Sequence, residues 1–153
     1  MTPAILLLEK LNISFTVLSY EHDPKNTQFG YEAVEKLNLN SAQVFKTLVL
    51  ETAENALIVA ITPVVQQVNL KQLAQVCGTK KVHMADPQKV QKSTGYILGG
   101  VSPLSQKKRL PTFVHKSAIL FDVIYVSAGK RGLEIALSPQ DLISQCNAQL
   151  ADF

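Results

Sequence analysis

The stretch Ala42-Gln43-Val44-Phe45-Lys46-Thr47-Leu48-Val49-Leu50 reads as a core strand with one charge in it. Strand side chains alternate, so Val44, Lys46, Leu48 and Leu50 share a face, with Phe45, Thr47 and Val49 on the other. A buried ammonium without a partner is costly, so Lys46 needs a reason. One reason is chemical: a fixed cation at the mouth of a pocket can hold a phosphate or ribose and orient what is attached to it. The other is structural: a lysine at a strand end can pack its stem on apolar neighbours and reach solvent with its head.

Two glycine clusters could add main-chain donors. They are Ser93-Thr94-Gly95-Tyr96-Ile97-Leu98-Gly99-Gly100-Val101-Ser102-Pro103 and Ser127-Ala128-Gly129-Lys130-Arg131-Gly132. Glycine allows positive φ and close approach of a ligand to backbone N–H groups, although two structural turns would look the same. Neither cluster matches GxxxxGK[ST] or GxGxxG, which disfavours ATP and dinucleotide sites. There is no GxSxG motif and no convincing Cys-His or Ser-His-Asp set. Cys77 lies on the apolar face of a helical pattern. Cys77 and Cys146 form no CxxC or Cys/His cluster, so they read as reduced core thiols and no zinc site is expected. His22 and His83 have no nearby partner in sequence that favours catalysis over structure.

The net charge of +3 is weak evidence for a polyanionic partner. Its distribution says more: Lys107-Lys108-Arg109, followed by His115-Lys116, and Lys130-Arg131 are concentrated in the last third of the chain. These runs read either as solvated turns or as a phosphate-facing surface. The apolar runs Ala4 to Leu8 and Ala56 to Ile61 are too short to cross a bilayer as a helix. Met1-Thr2-Pro3 leads directly into a helix-like segment, so no secretory leader is expected, and reduced cysteines point to the cytosol.

The elements that must position these groups follow from caps and periodicity. Thr2-Pro3, Asp86-Pro87 and Ser138-Pro139 each place a capping side chain before a proline at the first helical position. Helices are predicted over Pro3 to Leu11, Pro87 to Lys92 and Pro139 to about Gln149, with Asp141 completing a capping-box spacing. Asn69 starts another, carrying Leu70, Leu73, Ala74 and Cys77 on one face and stopping at Gly78. A short helix is predicted from Tyr31 to Leu37. Strands are predicted around Ile13 to Val17, over Gln43 to Glu51 and Ala56 to Thr62 as a hairpin about Glu54-Asn55, and over Val82 to Ala85, Thr112 to His115, Ile119 to Ser127 and Leu133 to Leu137. With 153 residues and no linker or repeat, the expectation is one domain of mixed α/β structure with a largely antiparallel sheet.

Taken together, Phe45-Lys46-Thr47-Leu48, Lys92-Ser93-Thr94-Gly95-Tyr96, Gly99-Gly100-Val101-Ser102-Pro103-Leu104 and Ser127-Ala128-Gly129-Lys130-Arg131-Gly132-Leu133 resemble the YbaK/EbsC family. Thr2-Pro3-Ala4 and Tyr20-Glu21-His22-Asp23 extend the resemblance over essentially the whole chain. It implies a YbaK-like editing domain: a mixed sheet curled into a partial barrel with helices around it. It also implies a trans-editing deacylase that clears cysteine from mischarged Cys-tRNA(Pro), and from Cys-tRNA(Cys) in some members. Prolyl-tRNA synthetase, the implied partner, discriminates cysteine from proline poorly because the two are similar in size.

By the same resemblance Lys46 matches the family's invariant lysine and Gly99 the glycine whose backbone faces the carbonyl oxygen. Tyr20, which could hydrogen-bond the substrate, joins them as catalytic. Phe29, Thr47, Gly100, Ser127, Gly129 and Glu134 are candidate substrate-binding residues. Glu134 could meet the substrate amine or simply pair with Arg131. Lys107, Lys108, Arg109, Lys130 and Arg131 are candidate tRNA phosphate contacts. The family supplies no protein nucleophile: the substrate thiol attacks its own ester carbonyl. No cofactor, metal or membrane contact is implied. Ala136 stands where relatives often have a second carboxylate, a departure that bears on fine substrate choice. Two other readings remain from the sequence: a deacylase for another amino acid such as alanine, and a non-catalytic module that binds tRNA or a synthetase.

Overall fold

A computed structural model describes residues 1–153. The capping signals place the helices. Thr2 accepts a hydrogen bond from the Ile5 N–H ahead of α1 (Pro3–Lys10). A strand β1 (Phe15–Ser19) follows, then α2 (Phe29–Leu37), whose N-cap Gln28 makes no side-chain cap. Strands β2 (Phe45–Thr52) and β3 (Leu57–Pro63) form the expected hairpin, turning at Asn55 with φ +64°. Asn69 caps α3 (Leu70–Cys77), which stops at Gly78 with φ +75°. After β4 (Val82–Met84), Asp86 caps α4 (Pro87–Thr94), two residues longer than its pattern predicts.

The carboxy-terminal third departs from prediction at two places. The run predicted as one strand from Ile119 to Ser127 is a 3₁₀ turn over Lys116–Leu120 and a short strand β6 (Ile124–Ser127), following β5 (Thr112–His115). The turn is set by His115, whose ring accepts from the Ser117 N–H. Beyond β7 (Leu133–Leu137), α5 (Pro139–Cys146) ends early because Asn147 adopts a left-handed conformation, φ +48°. The residues beyond it form a strand, β8 (Gln149–Ala151), that pairs in parallel with β5.

The strands form two sheets, β1–β7–β6 and β4–β2–β3–β5–β8, which do not close into a barrel. Four of the pairings are antiparallel and two parallel, which is the mixed, largely antiparallel arrangement expected. A single parallel bridge from Val44 to Tyr125 ties the start of β2 to β6. Strand β2 is covered on both faces: Phe45 and Val49 enter the larger core, while Leu50, with Leu48 beside it, enters the smaller one around Leu73 and Phe113. At the end of β2 next to the bridge the two sheets diverge, and Lys46 is found there.

Candidate active site

A cavity of about 400 Å³ opens where the sheets part. Its walls are Val44 and the first residues of β2 (Phe45 to Leu48), Tyr20 just after β1, Ser127 at the end of β6, Glu134 near the start of β7, Gln28 with the first turn of α2 (Phe29 to Tyr31), Val64, the loop residues Leu98, Gly99 and Val101, and the turn carrying Lys130 and Arg131. Of the candidate residues read from the sequence, Lys46, Gly99, Tyr20, Phe29, Thr47, Ser127, Glu134, Lys130 and Arg131 meet here.

Lys46 is partly buried and takes part in none of the protein's ion pairs. Burial pulls its pKa below the usual lysine range, because desolvation penalises the ammonium. Thr47 adds a buried hydroxyl without a hydrogen-bond partner. Glu134 is only 7% exposed, and burial pushes its carboxyl up to about 8. Of the two partners open to Glu134 from the sequence, Arg131 does not pair with it. Arg131 instead donates to the Leu98 carbonyl at 2.8 Å and lies 4.3 Å from the centre of the Phe29 ring. This clasp joins the start of α2, the glycine loop and the β6–β7 turn across the cavity mouth. Tyr20 is pushed up by burial, then by the negative charges of Glu134 and Glu32.

The two adjacent glycines of the loop separate in role. Gly99 has φ +90°, and a Cβ there would lie 2.6 Å from the Phe29 ring and 2.8 Å from Arg131 Nε. The position therefore demands glycine, and the Gly99 N–H meets no acceptor in the protein. Gly100 does not line the cavity, and its N–H is already committed to the Ile97 carbonyl at 2.8 Å. It lies in the turn behind the cavity wall, apart from the other candidate substrate-binding residues. Gly129 is likewise outside: its φ of +103° and the Tyr96 ring, 2.5 Å from where a Cβ would sit, make it a packing glycine. Lys107, Lys108 and Arg109 are exposed but do not line the cavity. Their segment is pinned to α4 and α5, through the Lys107 and Lys108 N–H groups on Thr94 and Ser93 and through Arg109 on Gln145.

Neither a histidine nor a cysteine lines the cavity. Burial raises Cys77, and raises Cys146 to about 12 despite the nearby Arg109 charge, as suits inert thiols.

Sequence reasoning missed the support behind the site. Glu32, 1% exposed, sits on α2 and accepts from the Asp23 N–H at 2.8 Å, from His22 Nδ1 at 2.6 Å and from Lys36 Nζ at 3.1 Å. Lys36 also donates to the Glu21 carbonyl. The network staples the segment after Tyr20 to the helix that begins with Phe29. Burial alone would raise the Glu32 pKa, but the Asp23 N–H and then the His22 and Lys36 bonds outweigh it and hold it at about 2. Glu32→Ala is expected to destabilise the fold by about 2 kcal/mol at pH 7, leaving the Asp23 N–H and the His22 ring without their partner while Lys36 keeps the Glu21 carbonyl. The carboxyl's folded value is depressed, so its contribution is present above the unfolded carboxylate pKa and lost as pH falls from there toward 2. Thermal melts at pH 7 and pH 3 check this, since the wild-type advantage over the variant should shrink at the lower pH.

The aminoacyl-tRNA editing domain family matches residues 27–144. The chain is 36% identical to the candidate Cys-tRNA(Pro)/Cys-tRNA(Cys) deacylase EbsC of Enterococcus faecalis, over 99% of this chain and 92% of that protein. It is 27% identical to the multifunctional Ser/Thr-tRNA deacylase ProXp-y of Escherichia coli K12, over 97% and 89%. The fold superposes with a TM-score of 0.80 on the crystal structure of a candidate trans-editing enzyme for prolyl-tRNA synthetase, at 20% identity and covering 98% and 95% of the two chains. On the match across most of its length and on its likeness to EbsC, the chain belongs to the aminoacyl-tRNA editing domain family.

Proposed function

We propose that the protein is an aminoacyl-tRNA deacylase that acts in trans, in the cytosol, to remove cysteine from Cys-tRNA(Pro), and from Cys-tRNA(Cys) as the EbsC likeness suggests. The observation that carries the reading is one cavity holding an unpaired ammonium, Lys46, and an unpaired main-chain donor, Gly99. Lys46 holds the terminal phosphate or ribose of the tRNA and orients the ester. The Gly99 N–H receives the negative charge that develops on the carbonyl oxygen. Tyr20 hydrogen-bonds the substrate, and Phe29 stacks against the terminal adenine.

No histidine or cysteine lines the cavity, and the family resemblance implies that the nucleophile is the thiol of the bound cysteine itself. Its sulfur attacks its own carbonyl carbon, and the bond from that carbon to the ribose oxygen breaks. The thiol proton ends on the departing ribose oxygen, and the products are tRNA and cysteine thiolactone, which water opens to cysteine. Esters without a thiol lack this route.

A second reading, removal of a hydroxyl amino acid, is favoured by the likeness to the Ser/Thr-tRNA deacylase. One assay separates these. The protein is incubated with tRNA(Pro) charged with cysteine, alanine, serine, threonine or proline, with and without prolyl-tRNA synthetase, the proposed partner in tRNA choice. Loss of cysteine alone supports the proposal, loss of serine and threonine the second reading, loss of alanine a third specificity, and loss of none a binding module.

The basic residues are proposed to contact tRNA phosphates, Lys130 and Arg131 at the cavity mouth and Lys107, Lys108 and Arg109 beyond it. Replacing the latter three with alanine is expected to flatten the dependence of log K on log salt by roughly 2 units, read from tRNA binding at several salt concentrations.

A further inference from the structure

Glu134 is the one acidic group at the site, and the reaction above leaves its chemistry unused. It lies on the central strand of the three-stranded sheet, between Leu18 of β1 and Ser127 of β6. A side chain on a central strand has no route to solvent around an edge, and this one is 7% exposed. Its carboxyl takes part in no hydrogen bond and no ion pair within the protein. The carboxyl oxygens keep contact with the cavity space, so the partner they lack within the protein can come from what enters it.

The charges around it define that visitor. Lys46 on β2 and Lys130 and Arg131 on the β6–β7 turn are basic side chains, and Tyr20 just after β1 and Tyr31 on α2 present phenol hydroxyls. Glu32 and His22 lie behind Tyr20, engaged with each other. Glu134 is therefore the only acidic side chain on the cavity wall. A ligand with a phosphate and an ammonium can be accommodated in one sense only, with the phosphate toward the lysines and arginine and the ammonium at Glu134.

We propose that Glu134 restricts the cavity to esters with a free α-amine, excluding N-acylated aminoacyl and peptidyl esters, and that binding of the ammonium expels one proton from the protein to solvent. The inference rests on the deacylase reading and names its substrate class. In the free protein the buried carboxyl holds its proton at neutral pH, in line with the upward shift that burial causes. An entering R–NH₃⁺ stabilises the carboxylate, the carboxyl proton leaves to water, and an ion pair remains. An N-acyl group brings one amide N–H and no charge. Glu134 then stays neutral and no proton is released.

The test compares 3′-cysteinylamino-3′-deoxyadenosine, whose amide resists cleavage, with its N-acetyl derivative. Calorimetry at pH 6, where the probe's α-amine is protonated, in two buffers of different ionisation heat counts the protons released. The free-amine probe is expected to bind about 100-fold more tightly than the acetylated one. At pH 6, where both the carboxyl and the probe's α-amine are protonated, it is also expected to release close to one proton, and to tighten about tenfold per pH unit between pH 5 and 6. Glu134→Gln, which keeps the shape, is expected to bring the two probes within a few-fold of each other and to abolish proton release. Glu134→Asp is expected to keep the pH slope. Equal binding of both probes, binding without proton release, or no binding of the free-amine probe would overturn the proposal. Probe binding with these features but no deacylation of any charged tRNA would instead overturn the enzymatic reading and leave the amine site standing.

Discussion

Lys46→Ala is expected to lower Cys-tRNA(Pro) deacylation about 1,000-fold, roughly 4 kcal/mol of transition-state stabilisation, with the melting temperature unchanged or raised. The two halves of that expectation have one cause. The Lys46 ammonium is partly desolvated and has no carboxylate partner, so the folded protein alone gains nothing from its charge. Removing it relieves a penalty in the empty protein and removes an anchor in the loaded one. Lys46→Arg keeps the charge but not the position, because a planar guanidinium fills space differently from a compact ammonium. It is expected to recover binding before rate. A lysine that merely reached solvent from a strand end would give a different pattern, with both variants within a few-fold of wild type. Deacylation at the wild-type rate by Lys46→Ala would remove Lys46 from the site.

Gly99→Ala is expected to cost about 100-fold or more in kcat, with a smaller change in KM. Two effects act together. The residue sits at φ +90°, which an L side chain adopts only with strain. The new methyl would also fall 2.6 Å from the Phe29 ring and 2.8 Å from Arg131 Nε, so the clasp over the cavity must open and the Gly99 N–H must move with it. A donor displaced by even ~1 Å from a developing oxyanion loses most of its value. The neighbouring Gly100→Ala is the control. Its N–H is spent on Ile97, and its nearest obstruction is the Arg131 backbone nitrogen at 3.2 Å. A loss of only a few-fold is expected there. Equal losses at the two positions would mean that the loop matters through its shape and not through one donor.

What is readable in the sequence is what is decided locally. Thr2-Pro3, Asp86-Pro87, Ser138-Pro139 and the Asn69 to Gly78 pair mark helix ends because capping side chain and backbone lie within a few residues. The β2–β3 hairpin is readable for the same reason. Lys46 stands out because a charge inside an apolar alternation is anomalous in itself. The features that escape depend on partners far along the chain. Glu32 carries a charge in an otherwise ordinary short helix, and only the return of His22 and Asp23 makes its burial sensible. A three-residue strand such as β8 has no periodicity to read and exists because β5 offers it an edge. Gly99 and Gly100 are indistinguishable as letters; the hydrogen bond to Ile97 and the Phe29 ring set them apart. Glu134 is visible as an acidic residue near Arg131, but proximity in sequence suggests a pair that the clasp on Phe29 and Leu98 prevents.

The proposed mechanism requires Lys46 and Gly99 to act on one ligand in one cavity. An NMR titration with 3′-cysteinylamino-3′-deoxyadenosine 5′-monophosphate reads both at once, through the Lys46 side-chain resonances and the Gly99 amide. Both signals are predicted to move along a single saturation curve, while the Gly100 amide, held by Ile97, moves far less. Saturation of either signal while the other stays fixed would contradict the mechanism.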